Sequence, residues 1–322
     1  MTSEVSASQE RISDFEGFEI EEGNNPIRFF DPSQERDESG RWTSAGGSSE
    51  IQNPSQGEAI NADSPQQRID SQLNENEKEI SKALMGGTGA NYSSKYIDQN
   101  SERAIELQNQ YEKDIVSWSK SMNQNGVSQD EAGDIAKSMY AYAQSDFSDI
   151  NDFLRGIDGD EDSGPNLGIM AKIESLQKAL EVSPKIEENN IFRGSSAYPN
   201  KENTVHSLAK LVKVGDIIRD LGFTSFSKRE EIANRFSKKE VRNLGRISAI
   251  SLKVTNAGGK ATAMPIWASS FPNEKEVLLP PETAIKVTRV QRERYLTDKE
   301  YKAKGDDGFT YFTQIEGEIV DE

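Results

Sequence analysis

The spacing of apolar residues changes once along this chain, near Pro184, and no other feature constrains the fold as strongly. Before that point apolar residues recur every three or four positions. Ile135, Met139, Tyr142 and Ala143 make one stripe behind a Ser128-x-x-Glu131 helix start. Ile150, Phe153 and Leu154 make a second, which stops at Gly156, and Ile169, Ile173, Leu176 and Leu180 make a third. After Pro184 short runs between Gly and Pro take over. Within 246–255, Ile250, Leu252 and Val254 alternate on one face. Similar runs cover 190–195, 222–227, 276–279, 284–290 and 309–315, with Gly305-Asp306-Asp307-Gly308 as a hairpin turn before the last. Residues 228–239 read as a helix between strands. Helices first and strands second predict an α+β fold.

Residues 1–75 show no period. They are rich in Ser, Glu, Asn, Gln and Gly, and they read as a disordered acidic tail. Residues 1–80 hold 18 acidic and 6 basic side chains, so most of the chain's net charge of −17 lies there. One island, from Phe29-Phe30 to Trp42, reads either as a turn with exposed aromatics or as a docking peptide for a partner. Residues 76–124 read as a helical lead-in, with Ile80, Ala83 and Leu84 on one face, and 125–322 as the catalytic domain.

Several function classes are excluded by composition. Such an acidic chain does not hold nucleic acid on a general basic surface. With no cysteine there is no disulfide, thiolate metal site or cysteine nucleophile, which fits a reducing cytoplasm. His206 is the only histidine, so a histidine metal cluster is ruled out, and its helical setting gives no support to a Ser-His-Asp triad. The acidic turn 157–164 lacks the spacing and closing Glu of an EF-hand. No apolar run reaches the length of a membrane span, and residues 1–10 do not read as a secretory signal. Neither a dinucleotide-binding nor a P-loop glycine pattern is present.

The chemistry-bearing residues lie in the strand-rich half. Glu274 and Glu276 sit two apart where a loop enters a strand, so period-two geometry places both carboxylates on one side. Side by side they repel, which raises the pKa of one of them and suits it to proton handling or to stabilising a cation. Arg193 ends an apolar strand. Its guanidinium suits bidentate phosphate contacts, and Gly194 after it lets a ligand approach the backbone. Ser225 and Ser227 share a strand face on either side of Phe226.

Taken in order, Asn190-Ile191-Phe192-Arg193-Gly194, then Gly222-Phe223-Thr224-Ser225-Phe226-Ser227, then Phe271-Pro272-Asn273-Glu274-Lys275-Glu276 resemble the mono-ADP-ribosyltransferases whose motifs read Arg, Ser-Thr-Ser and Glu-x-Glu. That resemblance implies helices packed on two small, mainly antiparallel sheets with an NAD cleft between them. It also implies transfer of ADP-ribose from NAD to an arginine of a target protein, with no metal. In those roles Arg193 holds the NAD phosphates, Gly194 meets the nicotinamide carboxamide through its backbone, and Ser225 braces Glu276. Glu276 bonds the ribose 2′-OH, Glu274 handles the acceptor, and Phe271 belongs to the turn that recognises it. Phe236 and Lys239 match the branch's nicotinamide-packing aromatic and phosphate-binding cation. Ser227 joins the NAD contacts, and Tyr142, in a segment similar to the family's Tyr-to-Leu-Arg helix, borders the cleft. Phe226 departs from the middle Thr, Phe147 from a second Tyr and Lys239 from Arg. Residues 36–47 are similar to segments of tailed-phage head proteins, a hint about origin only; the expected place of action is the cytoplasm of a host or target cell, reached in a phage particle or by delivery as an effector. An enzyme of the same fold that hydrolyses NAD or modifies a different acceptor, and an inactive phage-particle structural or binding protein, are the alternatives.

Overall fold

In a computed structural model the chain is described over residues 64–87, 102–156, 166–197, 204–237, 247–269, 272–296 and 309–321. The aromatic island of the tail, the acidic turn 157–164, the hairpin turn 305–308, Lys239 and Phe271 lie outside these residues.

The helical half begins earlier than its composition suggests. Helix α1 (Pro65–Asp70) falls inside the stretch expected to be a tail. Ser64 and Gln67 form a reciprocal capping box, with Pro65 in the first turn. Ile69 and Leu73 are buried in the helical core, and Arg68 bonds Glu112 through two nitrogens. Next come α2 (Glu75–Gly87) and α3 (Glu102–Gln124). α4 (Gln129–Ala141) is capped by Ser128, whose side chain accepts from the Glu131 N–H. A π-turn (Tyr142–Asp146) leads into α5 (Phe147–Arg155), and α6 (Leu167–Val182) completes the layer. Ile80 and Leu84 of α2, Ile115 and Trp118 of α3 and Ile135 and Met139 of α4 share one core, so packing is continuous across position 125.

The second half contributes β1 (Ile191–Ala197), α7 (Thr204–Leu211), β2 (Ile217–Ile218), β3 (Thr224–Ser227) and α8 (Glu230–Phe236). It continues with β4 (Ser248–Val254), β5 (Thr262–Ala263), β6 (Glu276–Leu279), β7 (Ile285–Leu296) and β8 (Phe309–Ile319). One eight-stranded sheet results, in the order β2-β7-β8-β4-β1-β3-β6-β5. Every pairing is antiparallel except β4 with β8.

The two expected sheets are therefore joined, but narrowly. Among the described residues β1 meets β3 only at Phe192 opposite Ser227, whereas β1 runs beside β4 over its whole length. Two cores reflect this division. The helices pack on Phe223 and Leu278, while Phe226, Val277 and Leu279 face a second core with Ile191, Leu252 and the α7 residues Val205 and Leu208. Alternation along β3 and β6 thus sends odd and even residues into different cores. Among the described residues no helix is long and apolar enough to cross a membrane.

Candidate active site

The junction of β1 with β3 collects the residues singled out by their chemistry. Ser225 lies on the Phe223 face of β3, and Glu276 lies on the Leu278 face of β6, so both look toward the helical layer. The Ser225 hydroxyl donates to Glu276 Oε1 at 2.7 Å. Arg193 crosses from β1, and its Nη1 donates to the Ser225 carbonyl at 2.7 Å. Burial raises the Glu276 carboxyl above the ordinary glutamate value, and Ser225 and Arg193 pull it part of the way back. Burial likewise lowers the Arg193 pKa, while Asp220 and Glu276 favour its charged form.

Glu274 arrives by a different route from the one its spacing suggests. Pro272–Glu274 is a 3-10 turn, Lys275 has a φ of 48°, and the strand starts only at Glu276. The two carboxylates are neighbours across a left-handed residue, not along one extended face. Burial first, and the Glu276 charge second, push the Glu274 carboxyl up to about 7, against a smaller pull from Arg235. Desolvation therefore outweighs the mutual repulsion expected from the pair's spacing.

Ser227 holds this turn in place. Its hydroxyl donates to the Glu274 carbonyl at 2.5 Å and accepts from the Arg229 N–H at 2.9 Å. Phe226 is buried against the second core, so the departure from Thr adds packing and not an apolar outer face. The glycine at 194 is explained by the protein itself. A Cβ there would lie 1.8 Å from the Ala233 carbonyl oxygen of α8, so the space belongs to a helix, not to an approaching ligand. α8 carries Phe236, whose carbonyl accepts from the Ser196 hydroxyl at 3.0 Å.

Tyr142 is a core residue, only 2% exposed, rather than a wall of an open cleft. Its ring stands edge-on to Phe147 and Phe223 at 6.4 and 5.7 Å. Asn151 Nδ2 donates to its hydroxyl at 3.2 Å, and Ser225 also hydrogen-bonds it. Burial and then the Glu276 charge push its pKa up to about 12, so the phenol keeps its proton.

Spacing did not single out Asp220. Its carboxylate receives Arg155 Nε and Nη2, each at 2.9 Å, with both side chains at most 5% exposed, and it also accepts from the Gly222 N–H at 2.9 Å. The Asp-x-Gly signature of a side chain bonding two residues on was the available signal. Asn151 Oδ1 accepts from the Phe223 N–H at 2.8 Å and fills the place that a Cβ on Gly222 would need. α5 thus grips the entrance to β3 at two points. Among the described residues no acidic or histidine cluster could hold a metal.

The family model described as ADP-ribosyltransferase exoenzyme matches residues 108–307. The putative NAD(+)–arginine ADP-ribosyltransferase Vis of Vibrio splendidus is 26% identical over 191 residues, 59% of this chain and 72% of that protein. Among solved structures, Vis toxin superposes with a TM-score of 0.47 at 18% identity, covering 71% of this chain and 89% of that one. Plx2a, an ADP-ribosyltransferase toxin from Paenibacillus larvae, superposes at 0.41 with 21% identity, covering 67% and 97%.

Proposed function

We propose that this chain, which belongs to the ADP-ribosyltransferase exoenzyme family, transfers ADP-ribose from NAD to an arginine side chain of a target protein. The relative Vis carries that activity in its name. The observation that carries the reading is the half-buried Ser225–Glu276 pair at 2.7 Å, with the Arg193 guanidinium bonded to the Ser225 carbonyl and Glu274 close enough for the Glu276 charge to raise its pKa.

NAD is the substrate. Breaking the bond between its ribose C1′ and nicotinamide leaves the electron pair on nicotinamide and positive charge on the ribose. Glu276, held by Ser225, offers a fixed carboxylate to that cation and to the ribose 2′-OH. Arg193 binds the phosphates, with Lys239 as a second cation. Phe236 and the Gly194 backbone border nicotinamide, while Tyr142 and Ser227 act from beneath, one supporting Ser225 and the other the Glu274 turn. The guanidinium of the acceptor then attacks C1′. Glu274 takes the proton it releases, and Phe271 contacts the target. No metal enters these steps. The toxin-like domain acts on proteins of a target cell. A docking partner for the tail and carriage in a phage particle rest on the sequence of residues 29–47 alone.

Labelled NAD incubated with cell lysate and with agmatine, a small guanidinium acceptor, tests the reading. Label on arginine and on agmatine is expected from the wild type and not from Glu276→Gln. Label on another residue type would overturn the acceptor assignment, and no cleavage of NAD would overturn the activity.

A further inference from the structure

Between β5 and β6, the described residues Met264 to Ser269 form a turn that is tied down on two sides. At its root the Met264 N–H donates to the Glu276 carbonyl at 2.9 Å. Ala268 and Ser269 then donate to the Pro265 carbonyl and close a tight turn. The crest of that turn is held from outside the strand-rich half. Asp114 of α3 accepts from the Ile266 N–H with Oδ2 at 2.8 Å, across 152 residues of sequence. Its other oxygen accepts from Gln110 Nε2 at 2.6 Å, which fixes the carboxylate's orientation. One helical turn on, Trp118 meets Trp267 edge to face at 5.4 Å. Burial raises the Asp114 carboxyl above the ordinary aspartate value, and the Ile266 and Gln110 hydrogen bonds, then the charges of Lys275 and Lys228, pull it part of the way back. Glu276 has independent supports, namely Ser225 and the β3–β6 ladder.

We infer that Asp114 is a positioning residue that holds the Pro265–Ser269 turn and through it places Glu274, so that α3 governs transfer to the acceptor but not cleavage of NAD. The inference rests on the transferase reading above. Without Asp114 the turn loses the hydrogen bond that ties its Ile266 N–H to α3, whereas the Ser225–Glu276 pair is untouched.

Full-length wild type, Asp114→Ala and Asp114→Asn are compared in three assays: ADP-ribosylation of agmatine, NAD hydrolysis without acceptor, and amide exchange at Ile266. Asp114→Ala should raise the KM for agmatine or lower transfer kcat by about tenfold, while the KM for NAD and the hydrolysis rate stay within about twofold. Asp114→Asn should recover most of the transfer, because its amide oxygen still accepts from the Ile266 N–H. Exchange at Ile266 should accelerate in Asp114→Ala alone. Equal loss of hydrolysis and transfer, unchanged transfer, an Asn variant as defective as Ala, or unaltered exchange would each overturn the inference. A wild type unable to cleave NAD would overturn the transferase reading instead, and the exchange comparison would still decide whether Asp114 holds the turn.

Discussion

Glu276 sits where a carboxylate is costly to the fold, and in the proposed mechanism that carboxylate serves the reaction. Burial raises its pKa, so the folded protein binds its proton more readily than the unfolded chain does. The carboxylate form is therefore destabilising at neutral pH, and Glu276→Gln should melt no lower than wild type at pH 8. In the proposed mechanism the Glu276 carboxylate meets the transition-state charge, so the same variant should lose NAD cleavage by about 10²-fold or more. A large fall in melting temperature would assign Glu276 a structural role. Glu274 gives a pH signature. With its carboxyl at about 7, it is largely protonated at pH 6 and largely ionised at pH 8. Arginine transfer should rise across that interval, and Glu274→Gln should flatten the rise while sparing part of the NAD hydrolysis. The linked stability runs the other way. The raised pKa contributes stabilisation that is full below the ordinary 4.5 and is lost as pH climbs through about 7. Denaturant unfolding of the two proteins between pH 4 and 8 checks the sign.

The elements that carry the site are locked by contacts between helix and strand. Asp220→Ala leaves Arg155 buried without its bidentate partner and should cost about 3–5 kcal/mol. Because Asp220 also bonds the Gly222 N–H at the approach to β3, NAD cleavage should fall with it at temperatures where the variant remains folded. Gly194→Ala drives a methyl group into the backbone of α8 and should destabilise by about 1–3 kcal/mol or more, since a helix carbonyl cannot step aside as a side chain can. Denaturant midpoints measure both. The π-turn after α4 belongs to the same set of devices. The extra residue in that turn brings Tyr142 under Ser225 while Ile150 and Asn151 of α5 stay buried.

At the scale of the whole molecule the helical layer and the sheet are interdependent, and the boundary of the folded unit follows from that. Removing residues 1–63 should leave NAD cleavage and melting temperature unchanged. Removing 1–75 takes away Ile69, Leu73 and the Arg68 partner of Glu112, and core losses of this kind cost about 2–5 kcal/mol each. The longer truncation should therefore melt well below the shorter one. Equal melting of the two truncations would place α1 outside the folded unit.

The α+β order, the helical stripes of α4 to α6 and the alternation in β4 were readable from residue types and spacing, because periodicity is a local property. Arg193, Ser225 and Glu276 were joined only by the resemblance of three separated motifs to a known family, and the fold brings them within hydrogen-bond reach. The same local view misplaced α1, whose few apolar residues bury only because α3 is there to cover them. It missed β2 and β5, which are two residues long and carry no period of their own. It explained Gly194 by a ligand when a helix backbone occupies the space, and it put Glu274 on a strand face when a left-handed residue intervenes. Asp114 looks in the sequence like any surface carboxylate, and the Asp-x-Gly spacing of Asp220 signals only a local turn. What distinguishes them is partners 65 and 152 residues away. Sequence alone determined the kind of elements and the chemical inventory. Only the tertiary structure decided which carboxylates are desolvated and what holds them, because burial and long-range hydrogen bonds are properties of the packed chain.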